Sequence, residues 1–114
     1  MSRTPLFKVY GHIHPVDVAL YAGLERICSS ALPDTEDIPV LEKDGDMARI
    51  SFEGTYFPDA EALDFLSARL GPLHQGKLDI LDMDGWRMTR HVFRDGSIQS
   101  RTVPLNHVLA HSGL

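Results

Sequence analysis

Three Asp-Gly dipeptides punctuate this chain: Asp44-Gly45, Asp84-Gly85 and Asp95-Gly96. Each falls between two runs that read as strands. Asp-Gly is favoured in the two-residue turn of a β-hairpin because both central positions take positive φ. Glycine adopts that conformation without steric cost, and aspartate tolerates it. A turn of fixed length also sets register, and register decides which side chains stand opposite one another.

The flanking runs supply the elements. Residues 6–14 alternate, with Phe7, Val9 and Ile13 on one face and Lys8, Tyr10, His12 and His14 on the other. Pro15 suits the first turn of a helix. From there Val16, Leu20, Gly23, Leu24, Ile27, Cys28 and Ala31 recur at helical spacing until Leu32-Pro33 stops them. Residues 33–37 read as an acidic loop. Residues 38–43 and 47–57 form a hairpin about Asp44-Gly45, with Ala48, Ile50, Phe52 and Tyr56 inward and Leu41 opposite Ala48. Pro58-Asp59 opens a second helix with Asp59 as N-cap. Ala62, Leu63, Leu66 and Leu70 are its stripe, and Gly71-Pro72 its stop. Residues 77–83, 86–94 and 97–103 form a meander, and Asn106 is placed to cap a short helix over 107–112.

This order predicts one α+β domain over residues 1–114. Its expected core is a ferredoxin-like βαββαβ unit, whose antiparallel sheet is extended by a C-terminal β-hairpin and short helix. The expected spatial order puts the first strand between the third and the fourth, with the last two strands beyond the fourth. A partly open barrel around one helix is the competing architecture.

The turns then place side chains. A two-residue loop at Asp84-Gly85 sets Asp82 opposite Arg87 and Asp79 opposite Arg90, two favourable charge pairs. The loop at Asp95-Gly96 sets Phe93 opposite Ile98, Thr89 opposite Thr102 and Arg90 opposite Arg101. Facing guanidiniums repel unless an anion is near, and Asp79 falls in the same row. Asp79, Arg90 and Arg101 therefore read either as a solvated charge ladder or as a site for a bidentate anion. Leu81, Met83, Trp86, Met88 and Val103 fall on one side of the meander, and Leu78, Ile80, Phe93 and Ile98 on the other. Two apolar faces imply that both are covered, and a second copy of the chain is the leading candidate for the second.

Charge bounds the partners. The net charge of −5 is uneven: residues 34–64 carry ten acids and two bases, whereas residues 65–114 carry six bases and four acids. Nucleic-acid binding, which needs clustered Lys and Arg, is not expected. The acidic stretch is either a solvated face or a docking surface for a basic partner, with Glu42, Asp44, Asp46 and Glu53 as its contacts and Trp86 as a further protein-binding anchor. No run approaches the length of a membrane span. The one cysteine, Cys28, lies on the apolar stripe of the first helix, which suits a buried inert thiol and a cytoplasmic setting.

Six histidines supply the remaining candidates. Tyr10, His12 and His14 share one strand face and could form an acid/base or ligand site there. His12 with His14, and His107 with His111, have spacings that put two imidazoles on one side of a strand or helix, as a metal requires. Neither pair sits in a His-Glu-x-x-His motif. There is no glycine-rich phosphate loop and no Gly-x-Ser-x-Gly. The reading leans away from an enzyme and expects no cofactor. It favours a homodimeric interaction domain using the acidic hairpin and the second sheet face. The alternative is an enzyme or small-ligand binder built on Tyr10, His12 and His14.

Overall fold

The computed structural model describes residues 6–106 of the chain. Within them the fold is α+β. In chain order the elements are β1 (Phe7–His14), α1 (Val18–Cys28), β2 (Leu32–Pro33), β3 (Leu41–Asp44), β4 (Met47–Tyr56), α2 (Asp59–Arg69), β5 (Gln75–Asp82), β6 (Arg87–Arg94) and β7 (Ser97–Pro104). All strands pair antiparallel in one sheet of order β2-β4-β1-β5-β6-β7, with β3 also on β4. No pairing among the described residues joins β7 back to β2 or β3, so the sheet is open and not a barrel.

Alternation along the strands explains where the core sits. Val9, Ile13, Ala48, Ile50, Phe52, Leu78 and Phe93 project from one face and are buried against Leu20, Leu24 and Cys28 of α1 and Leu66 of α2. Both helices therefore cover the same face. They meet where Gly23 of α1 receives the ring of Phe65; a Cβ there would collide with it.

The turns differ from one another. Asp95 and Gly96 both have positive φ, 56° and 75°, as the type I′ turn requires. The pairs Phe93–Ile98, Thr89–Thr102 and Arg90–Arg101 follow as expected. The first hairpin departs from the expected register. Gly45 at φ 62° is the first central residue and Asp46 the second, so glycine leads, as in a type II′ turn. The register moves by two residues, and Leu41 faces Ile50 instead of Ala48. At Asp84-Gly85 the expected pairs Asp82–Arg87 and Asp79–Arg90 form, but the connection has four residues, 83–86, and the positive φ, 55°, falls on Trp86. The Asp82 carboxylate organises this loop by accepting from the backbone N–H of Asp84 (3.1 Å) and Gly85 (2.9 Å).

Local signals also shift the helix starts. Asp17, not Pro15, opens α1; its Oδ1 accepts from Leu20 N at 2.7 Å. Pro58 stands at the N-cap of α2 without a side-chain hydrogen bond, and Asp59 is the first helical residue. Leu32-Pro33, read as a helix stop, continues into β2 beside Tyr56 and Gly54. Ile38 is not in β3, and Tyr56, expected inward, is 45% exposed. Asn106 accepts from the Trp86 indole N–H at 2.7 Å. The helix expected over 107–112 lies outside the described residues.

Candidate functional site

The face of the sheet turned away from the helices is ordered in cross-strand rows. One row is Glu53–Lys8–Leu81–Met88–Val103, with Lys8 and Glu53 4.0 Å apart. The next is Ser51–Tyr10–Asp79–Arg90–Arg101, and the third Arg49–His12–Lys77–Val92–Gln99. His14 and Gln75 follow as a facing pair. This outer face thus changes along the strands from a largely apolar end at Leu81, Met88 and Val103 to a basic, histidine-bearing end.

Asp79 is the pivot of that change. It is buried, and Arg90 grips it with a fork: Nε to Oδ1 at 2.8 Å and Nη2 to Oδ2 at 2.9 Å. Lys77 Nζ adds a contact at 3.6 Å. The hydrogen bonds to Asp79 hold the Arg90 guanidinium even more firmly protonated than usual. Arg101, opposite Arg90, has no ion-pair partner among the described residues. Asp79 therefore neutralises one arginine of the row and leaves the other.

The His12 and His14 rings stack 9° from parallel with centroids 6.3 Å apart. Burial holds the His12 pKa below its ordinary 6.5. Lys77, His14 and Arg49 push the same way and Asp79 opposes them. A neutral imidazole among cations can accept or donate one hydrogen bond without adding charge.

Three hollows adjoin one another across this face. The first, about 320 Å³, is lined by His12, His14, Gln75, Lys77, Arg90 and Arg94, with Val92 and Phe93 on its apolar side. The second, about 400 Å³, shares His12 and Lys77 with it and adds Tyr10, Arg49, Ser51 and Asp79. The third, about 270 Å³, shares Tyr10 and Ser51 with the second and is lined by Pro33, Ile38, Val40 and Phe52, with Asp34 and Glu53 among its polar groups.

The structure brings Tyr10, His12 and His14 onto this face together with Asp79, Arg90 and Arg101. It adds Arg49, Gln75, Lys77 and Arg94, which sequence reasoning did not single out. Glu42, Asp44 and Glu53 share the outer face at the β3–β4 end, where Asp44 pairs with Arg49 at 3.3 Å. Asp46 sits in the turn, its backbone oxygen accepting from Val16 N at 2.7 Å. Trp86 is half-exposed in its loop, away from the basic end. His107 and His111 lie outside the described residues, and no group of three or more His, Cys, Asp or Glu placed to hold a metal ion occurs among the described ones. Cys28 is buried and its thiol is pushed up to about 11 by that burial, which favours the neutral thiol over the thiolate at neutral pH. His91 lies on the helix side, its Nδ1 2.7 Å from Ser100 Oγ. No helix among the described residues is long and apolar enough to cross a membrane.

No protein-family model, curated protein or solved structure matches this chain.

Proposed function

We propose that this protein is a small-ligand binding domain whose working surface is the outer face of the sheet, and that its ligand is an organic anion carrying a carboxylate or phosphate. One observation carries the reading. In a chain of net charge −5, the groove at the β1–β5–β6 end is lined among the described residues by His12, His14, Gln75, Lys77, Arg90 and Arg94 and by no carboxylate, while Asp79 of the adjoining hollow pairs with Lys77 and Arg90. Cations gathered in a shallow groove raise the local positive potential, and imidazole and amide N–H groups supply directed donors beside them. Asp79 fixes the Arg90 guanidinium in place while using only two of its N–H groups.

Isothermal titration at low salt with inorganic phosphate and with acetate tests the proposal. Both bind the native protein, and Arg94→Glu weakens binding at least tenfold. Arg87→Glu makes the same charge change on the helix side and leaves affinity within about twofold. Equal loss in the two variants, or no binding of either anion, overturns the reading.

A second reading is favoured by the Leu81–Met88–Val103 row and by the acidic β3–β4 end. It is association through the outer face, with a second copy or a basic protein. A strictly monomeric mass by light scattering at tens of micromolar counts against the homodimer. With the two-residue β2 set aside as an addition, the order β1–α1–β3–β4–α2–β5 supports a ferredoxin-like core, with β6 and β7 extending it. The single buried cysteine supports a reducing, cytoplasmic setting.

A further inference from the structure

We infer that the ligand is an amphipathic organic anion, with its charged group in the basic groove and an apolar tail laid over Tyr10 into the slot beside Ile38. The inference rests on the anion-binding reading above and adds what the rest of the ligand must be. Three observations carry it.

The hollows form one track. The basic groove leads through His12 and Lys77 into the central hollow, and the central hollow leads through Tyr10 and Ser51 into the slot. The track crosses four neighbouring strands, β6, β5, β1 and β4, a span of about 14 Å at the usual strand spacing. That is longer than any simple inorganic anion.

The far end is built to hold apolar matter. The loop over residues 34–40 is tied to β4 at both ends, by Asp34 N to Glu53 O at 2.8 Å and by Ser51 N to Val40 O at 2.9 Å. It thereby stands as a wall carrying Ile38 and Val40, with Pro33 of β2 beside it. Ile38 is 59% exposed and Tyr10 43% exposed, so the slot presents apolar surface that a ligand could remove from water.

Charge sets the direction. Asp34 and Glu53 line the slot and would repel an anionic group, whereas no carboxylate lines the opposite end among the described residues. An amphipathic anion thus fits in one orientation only. Tyr10, between the two ends, offers an aromatic surface for the first part of the tail.

A chain-length series at one pH and ionic strength tests this. Acetate, butanoate, hexanoate and octanoate are titrated into the native protein, with the matching alkyl phosphates as a second arm. Affinity is expected to rise about twofold or more per added methylene until the slot is filled. In Ile38→Asp, an exposed position where folding is preserved, acetate binds as before but the gain with length disappears. In Arg94→Ala all members weaken by a similar factor. If acetate and phosphate bind but longer tails bring no gain, the amphipathic inference fails and the anion-binding reading stands. If no anion of any length binds, both fall. If length helps equally in Ile38→Asp, the tail lies elsewhere and the inference is overturned.

Discussion

At Asp79 one carboxylate serves two cations, and a third stands close by in the same row. Arg90 holds it by two hydrogen bonds and Lys77 by one longer contact, while Arg101 faces Arg90 with no ion-pair partner among the described residues. Asp79→Asn should cost about 1–3 kcal/mol, because it removes charge-assisted bonds at a buried position and exposes Arg90 to Arg101. Urea unfolding of the variant, with Asp79→Asn/Arg101→Gln recovering part of the loss, checks this. The Asp79–Arg90 and Arg90–Arg101 pairs were legible in the sequence because short hairpin loops bracket them. Lys77 and Arg49 beside His12 were not. Their rows depend on β1 meeting β5 and β4 across more than thirty intervening residues, where no turn sets the register.

Burial holds the His91 pKa below 6.5, with Asp59 and Asp79 opposing it, and His12 is lowered as well. The folded protein then binds fewer protons than the unfolded chain near pH 6.5. The stability this contributes is complete above 6.5 and declines as pH falls through 6.5 toward the folded values. Urea midpoints should therefore drop between pH 7.5 and 5.5, and drop less in His91→Gln. An unchanged difference between wild type and variant would contradict this assignment.

Among the elements, the turns carry most of what could be read in advance, and their failures are instructive. Asp95-Gly96 is the turn that its dipeptide implies, because both residues sit at positive φ. Gly96→Ala should destabilise by about 1 kcal/mol through its φ of 75°, measurable by thermal unfolding. At Asp44-Gly45 the same dipeptide enters one position later, because glycine alone takes the positive φ of a type II′ turn and Asp46 follows it. At Asp84-Gly85 side-chain acceptance by Asp82 stabilises a longer loop that preserves the pairing. Composition alone does not separate these outcomes. The α1–α2 contact was equally hidden, since Gly23 reads as one more stripe position until Phe65 is placed against it. Gly23→Ala should cost about 1–3 kcal/mol by overpacking that contact, and an unchanged unfolding midpoint would show that the helices can part to accept it.

Over the whole molecule, helices cover one face of the sheet while the other grades from apolar to basic. That gradient was only half visible beforehand. Alternation in residues 6–14 put Tyr10, His12 and His14 on one face, but the chain's acidic average concealed a cationic groove assembled from β1, β5 and β6. Because its cations are few and partly exposed, anion binding should weaken as salt rises from 20 to 200 mM, whereas binding by apolar contact alone would not.

The most direct measurement is backbone and histidine side-chain NMR of the native protein titrated with inorganic phosphate. Saturable shifts are expected at His12, His14, Gln75, Lys77, Arg90 and Arg94, with the His12 resonances moving toward the protonated form. Shifts scattered over the surface, or clustered on the helix side, would contradict it.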